Sequence, residues 1–492
     1  MITDAERTEL ERSIEEIWEI ALDMGYDPYP INFEVVPVHV IYELGSYSLP
    51  ARFSHWTFGR DYHRQKTSYE YGMSKIYEIV FNTDPCQAFL MDSNSMTSHK
   101  LTIAHVIGHC HFFKHNDYFS HTDRQMIEKV RLHRDRIAAY EQEFGWREVE
   151  EFLDAVMCVE EHFDPTSPLL KPRPAPLPER GRHGAPASSG TGQRTTDYDD
   201  LWKVLGEDAA PKPRARKFPE EPEKDLLLFL ANYGRDLQDW QRDILAMVRE
   251  EMLYFLPQMR TKIMNEGFAS LAHERILERY LNKPEEIWEF RRLHSGVLSP
   301  SPSRMSINPY YVGFQMLKDI ERRWDGEGSD DDKEPETDWL GNPKMRPTGC
   351  GWKKVFEVCE EENDVSFLRK YLTEPLVKRL DLYTYEREEN ANGDEEWVVQ
   401  STDWKQVRDE MVDGMTNFGV PIVRVEDGDY KRHGELYLSH AHDGKDVDTE
   451  YAERVLRAVH RLWGRPVHLE TRLEDERTLL SFDGRENTQE TL

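Results

Sequence analysis

The chain has 492 residues, and its 38% hydrophobic content, with 12 Trp, 22 Tyr and 21 Phe, excludes global disorder. A net charge of −30, from 93 acidic and 63 basic residues, repels nucleic acid and anionic lipid and argues against binding to either. Such a charge serves solubility in the simplest account; the sharper expectation is halophilic, because high internal salt screens this much self-repulsion. Five cysteines, odd in number and without a CxxC pair, point to a reducing, cytoplasmic compartment rather than a disulfide scaffold. The charged N-terminus does not read as a signal peptide, and no apolar run is long enough to predict a transmembrane helix.

In chain order, residues 4–25 predict an amphipathic helix. Leu10, Ile14, Ile17 and Ala21 recur at helical spacing, and Thr3 or Asp4 can cap it. YPINFEVVPVHVIYELGSYSLP follows, with β-branched residues broken by prolines, and predicts short extended segments. The run LTIAHVIGHCHFFKHN predicts a helix, and 123–163 one or two more. Residues 1–163 form the first part of a main domain. From Asp164 the chain turns rich in Pro, Gly and Ser, so 164–223 is expected to be a flexible linker. Residues 224–324 are strongly helical, with Pro257 expected to separate two helices. An acidic linker at 325–349 precedes a region, 350–492, whose strand-like runs alternate with WKQVRDEMVDGMTNFG and DTEYAERVLRAVHRLWG. The expected fold is a mainly α main domain plus a small C-terminal α+β domain.

His105 and His109, in AHVIGH, are four residues apart, which on a helix puts both imidazoles on one face, one turn apart. Paired zinc-ligating histidines have this geometry, and Gly108 leaves room for close approach. HxxxH alone is common in helices, and two hydrogen-bonded histidines in a polar cleft are its bland explanation. A second helical run, KIMNEGFASLAHERI, puts Glu266, Ser270 and His273 on one face. A carboxylate and imidazoles together suit Zn²⁺ or another divalent metal. The words NEGFA resemble gluzincin metallopeptidases of the aminopeptidase type, where a helix with two histidines precedes a helix whose Glu is the third ligand. The resemblance implies a zincin-like helical site in the main domain, with His105, His109 and Glu266 as metal ligands. Two departures stand out. The general-base Glu that follows the first His in those enzymes is Val106 here, and Glu266 lies far down the chain, beyond the linker. Glu250, Glu251 and His273 are then the candidate catalytic bases. His55, His111 and His294 are better explained as hydrogen-bonded histidines, His440 and His442, which could pair as HxH on a strand, as a solvated turn, and Cys110 as a buried structural thiol.

The ordered words YPINFEVVP, FSHWTFG, YEIVFNTDP, AHVIGHCHFFKHN, DLLLFL, WQRDILAMVREE, TKIMNEGFAS, RLHSGV and NPYYVGFQMLKDIERRW resemble the SpoVR family, named for stage V sporulation protein R. The resemblance covers about residues 30 to 324 and implies a separate C-terminal domain. It also implies a stress- or sporulation-type regulatory or scaffold factor working with a PrkA-type serine kinase and a von Willebrand-factor-A-like protein. The alternative is a metal-dependent, zincin-like hydrolase acting on peptide or peptidoglycan-like amide bonds, lacking the usual HExxH glutamate.

Overall fold

The computed structural model describes residues 3–70, 78–166, 218–301, 306–326, 349–389 and 395–492. In chain order the elements are α1 (Asp4–Asp23), β1 (Ile31–Val36), α2 (Val38–Tyr47), α3 (Trp56–Glu70), β2 (Glu78–Phe81), β3 (Cys86–Met91), α4 (Met96–His115), α5 (Met126–Phe144), α6 (Trp146–Met157), α7 (Leu226–Tyr233), α8 (Asp239–Arg260), α9 (Lys262–Tyr280), α10 (Pro284–Val297), α11 (Pro309–Asp325), α12 (Gly351–Glu361), α13 (Asp364–Tyr371), α14 (Glu374–Leu380), β4 (Thr384–Glu389), β5 (Glu395–Ser401), α15 (Trp404–Met415), β6 (Val423–Tyr430), β7 (Glu435–His440), α16 (Thr449–Trp463), β8 (Val467–Leu473), β9 (Glu476–Phe482) and β10 (Asn487–Thr491). Most of the stretch expected as a linker, and most of the acidic stretch at 325–349, lie outside the described residues.

Two compact units result: residues 1–153 with 247–420, and residues 154–246 with 421–492. The first is mainly helical and the second is a small α+β layer, the class predicted from the pattern. By their contacts α12, α13, α14 and α15 belong to the helical unit, and α7 belongs with the C-terminal strands.

In the helical unit, Thr3 caps α1 through a capping box: its hydroxyl accepts from the Glu6 N–H while the Glu6 carboxylate accepts from Thr3 N–H at 2.8 Å. β1 pairs in parallel with β3, which pairs antiparallel with β2. Residues 38–47, expected to be extended, are helical instead. Pro37 sits at the cap of α2, and Ile41, Tyr42 and Leu44 bury one face, so helical packing overrides β propensity. Pro257 does not end its helix either. It lies inside the last turns of α8, and the break falls at Thr261, whose hydroxyl donates to the Pro257 carbonyl at 2.8 Å.

α4 is buried from Thr97 to Phe113, nearly all round, which makes it a central helix rather than an amphipathic surface one. Ser95 caps its N-terminus by accepting from Ser98 N–H. α4 packs on α9, and α9 on α11. Glycines set both approaches. A Cβ on Gly108 would sit 2.8 Å from the Ala269 Cα, and one on Gly267 would run into the Gly313 backbone. The first turn of α9 has no side-chain cap of its own. The Asp364 carboxylate, from α13, accepts from the Ile263 and Met264 N–H groups at 2.9 Å each. Phe112, Phe268, Phe290 and Phe367 fill the core around these helices, each burial contributing about 1.5–3 kcal/mol.

The second unit is built on a sheet of order β10-β9-β8-β7-β6, antiparallel except for the β7–β8 pair. α16 packs on β8 and β9 through Leu456, Val459, Leu462 and Trp463. The chain before α7 joins it: Glu223 bridges Val425, and Phe229 stacks on Trp463 at 5.6 Å.

Candidate metal centre

The spacing of His105 and His109 on α4 places their rings 4.6 Å apart, centroid to centroid. The close α4–α9 approach at Gly108 brings Glu266 opposite them. Glu266 Oε2 lies 3.5 Å from His105 Nε2 and 3.5 Å from His109 Nε2. Donor atoms about 2.0–2.1 Å from a tetrahedral ion are about 3.3 Å apart, so the two separations match shared coordination. The residues singled out from sequence are thus brought together from distant parts of the chain.

Hydrogen bonding decides which atoms face the centre. The Asn265 Oδ1 accepts from His109 Nδ1 at 2.9 Å, which leaves Nε2 as the nitrogen directed at Glu266. His105 Nε2 and Glu266 Oε2 are both buried with no hydrogen-bond partner. An orphaned buried polar atom costs about 1–3 kcal/mol, and a cation between this ring nitrogen and this carboxylate oxygen would relieve both. Burial, with the neighbouring His109 charge, pushes His105 down to about 4, so this imidazole is neutral near pH 7. Burial also lowers His109, but the Glu266 carboxylate outweighs it and leaves this ring above the ordinary value. Burial would raise Glu266, yet its two imidazole neighbours outweigh that and hold it well below the usual carboxylate range.

Glu78, on β2, completes the cluster and was not singled out from sequence. Its Oε1 lies 3.8 Å from His105 Nε2, and one ligand atom each from Glu78, His105 and His109 fall within 4.8 Å of one another. The two imidazoles and the Glu266 carboxylate fit a divalent ion, with the Glu78 carboxyl at the edge of the set. Burial raises the Glu78 carboxyl to about 7. The one signal available was its place inside the word YEIVFNTDP. The Tyr310 ring lies over His105, with centroids 6.0 Å apart, and the Glu266 charge together with burial keeps its hydroxyl protonated.

Of the candidate bases, His273 is next to the cluster: its Nδ1 lies 3.0 Å from His105 Nδ1. Glu250 and Glu251, on α8, have other partners. Glu251 accepts from Arg52 Nε at 2.7 Å and lies 3.0 Å from His133 Nδ1, while Glu250 pairs with Lys129. Four other histidines weighed from the sequence are hydrogen-bonded elsewhere: His111 Nδ1 accepts from Asp27 N–H, His55 pairs with Thr57, His440 with Thr471 and His442 with Asp446. Cys110 is buried, as expected.

Residues 4–420 match the family described as SpoVR like protein. The chain belongs to the SpoVR family. Residues 421–474 match the SpoVR-like C-terminal domain, so the family boundary coincides with the unit boundary at Pro421. This SpoVR chain is 29% identical over 480 residues to YcgB of Escherichia coli (strain K12), an uncharacterized protein, covering 94% of this chain and 91% of the relative. No solved structure matches it. Among the described residues, no helix of this SpoVR protein is long and apolar enough to cross a membrane.

Proposed function

We propose that this SpoVR protein is a metal-dependent hydrolase of the zincin-like kind, acting on peptide or peptidoglycan-like amide bonds. The observation that carries the reading is the convergence of two imidazole nitrogens on one unpartnered carboxylate oxygen, 3.5 Å from each, inside the protein. His105, His109 and Glu266 would hold Zn²⁺ or another divalent ion, which supplies Lewis acidity toward a carbonyl and toward water.

The residues of the chain do the rest. Glu78 takes the place that Val106 leaves vacant in the sequence motif: it reaches the centre from β2 and accepts a proton from water. Tyr310, protonated and over His105, is the donor available to an oxygen that gains charge. Asn265 holds the His109 ring.

Elemental analysis of untagged protein, made without added metal, tests the reading. Stoichiometric zinc in the wild type, absent from His105→Ala and Glu266→Ala, supports it. A protein that neither contains nor takes up zinc, manganese or iron sinks it. The regulatory role beside a PrkA-type kinase and a von Willebrand-factor-A-like protein, which rests on family resemblance alone, would then be the reading left.

A further inference from the structure

His105 is the first ring of a longer chain. Its Nδ1 meets His273 Nδ1 at 3.0 Å, and His273 Nε2 meets His294 Nδ1 at 2.7 Å. His294 Nε2 then faces Glu274 Oε1 at 3.5 Å. Lys318 Nζ lies 2.7 Å from the other Glu274 oxygen, and Arg291 approaches the same carboxylate at 3.9 Å. His273 is fully buried, and His294 and Glu274 are each 7% exposed. These three residues have no part in the centre described above except through His105.

The hydrogen-bond inventory gives the chain a direction. An ionised carboxylate only accepts, and a neutral imidazole has one N–H and one lone pair. The series Glu266, His105, His273, His294, Glu274 has four gaps and three rings. With one proton on each ring, the three rings supply three protons, so one gap lacks a proton. Only the gap at Glu266 has a second imidazole, His109, aimed into it, and a second carboxylate, Glu78, at its edge. That is the gap a cation fills. The other three protons then all point away from it. His105 Nδ1–H donates to His273, His273 Nε2–H donates to His294, and His294 Nε2–H donates to Glu274. The opposite direction would place an N–H on His105 Nε2, block it as a ligand, and turn a lone pair of His294 toward the Glu274 carboxylate.

We infer that Glu274 is a positioning residue, acting through His294 and His273 to hold His105 in the tautomer whose Nε2 is free to bind a metal ion. The inference rests on the metal-centre reading and adds to it a relay running from the ligand to the edge of the helical unit. Metal-ligating histidines are commonly held by a carboxylate on the other nitrogen, and loss of such a partner weakens metal binding by about 10- to 100-fold. Here two imidazoles are inserted between ligand and carboxylate.

The test uses the full chain with ¹⁵N-labelled histidine, loaded with zinc, and reads ring tautomers from long-range ¹H–¹⁵N spectra. The expected result is N–H at Nδ1 of His105 and at Nε2 of both His273 and His294. The opposite tautomer at His273 or His294 overturns the relay. Zinc affinity by chelator competition is the second readout. Glu274→Gln and His294→Phe are expected to weaken it about tenfold and to shift the visible spectrum of the cobalt-loaded protein, while Glu278→Gln, one turn further along α9, changes neither. Glu274→Gln is nearly isosteric and keeps the test readable if His294→Phe does not fold. Wild type that takes up neither zinc nor cobalt sinks the metal-centre reading and this inference with it. Wild type that binds zinc, with unchanged affinity in both variants, sinks the relay alone.

Discussion

The helical unit holds two buried clusters made of the same ingredients, and they behave in opposite ways. One is His105, His109 and Glu266. The other is Glu251, fully buried, with Arg52 and His133. In the second, Arg52 donates to Glu251 at 2.7 Å, His133 lies 3.0 Å from its other oxygen, and the guanidinium sits 4.8 Å from the centre of the Phe58 ring. Every charge there is matched by a donor. In the first, an unpartnered ring nitrogen faces an unpartnered carboxylate oxygen. Histidine and glutamate close together do not define a site. What separates a candidate ligand set from a structural ion pair is whether each buried polar atom finds a partner within the protein.

The largest expected effect separates the clusters outright. Glu266→Ala removes the shared oxygen and should take bound zinc from stoichiometric to none, read by elemental analysis. Arg52→Met, by contrast, should leave zinc stoichiometry of the folded protein unchanged. It should instead cost about 3–5 kcal/mol of stability in urea unfolding, because Glu251 is left as an uncompensated buried charge. Loss of zinc in the Arg52 variant, at a denaturant concentration where it is folded, would erase the distinction.

The difference between the clusters explains what was legible in the sequence. The HxxxH pair and NEGFA pointed to His105, His109 and Glu266 because helical periodicity and a specific word both survive as local patterns. Glu78 was not legible: it sits on a four-residue strand, β2, and reaches the centre only through the fold. Glu250 and Glu251 were candidate bases because Val106 stands where the motif's own base belongs. Glu251 is buried against Arg52, which is 199 residues away, and no local pattern reports that partner. The same holds for the fold. α1 follows from its cap and periodicity, whereas α2 had the composition of a strand and became a helix through packing. α7 looked continuous with the helices after it, yet groups with the C-terminal strands through Glu223 and Phe229.

A smaller effect tests how the first cluster is assembled. Gly267→Ala places a methyl group against the Gly313 backbone, so α9 must shift on α11. Overpacking of this kind costs about 1–3 kcal/mol. Because Glu266 is the preceding residue, the variant should also weaken zinc binding, measured by chelator competition. Gly296→Ala, which meets open space on α10, should do neither. Acid titration adds a further separation. Burial raises Glu274, but His294 and Lys318 outweigh it and lower it to about 2, against an ordinary 4.5. A depressed carboxyl contributes stability that is present above its unfolded value and lost as pH falls through the folded one. Unfolding midpoints of wild type should therefore fall between about pH 4.5 and 2, and Glu274→Gln should flatten that slope.

The smallest effect lies inside the second cluster and sharpens the comparison most. Glu250 and Glu251 are neighbours on α8, yet one side chain is 40% exposed and the other fully buried. Glu250 meets Lys129, itself 39% exposed, and an ion pair so open to water is worth about 0–1 kcal/mol and is screened by salt. Glu250→Gln should therefore change the urea midpoint barely at all, and less still in high salt. Glu251→Gln should destabilise severely, because Arg52 keeps its charge and loses its partner. Neither should release zinc. If Glu250→Gln instead left stability intact but altered the spectrum of the cobalt-loaded protein, Glu250 would act at the metal centre after all. Exposure and pairing would then be poor guides to which carboxylates in this unit do chemistry.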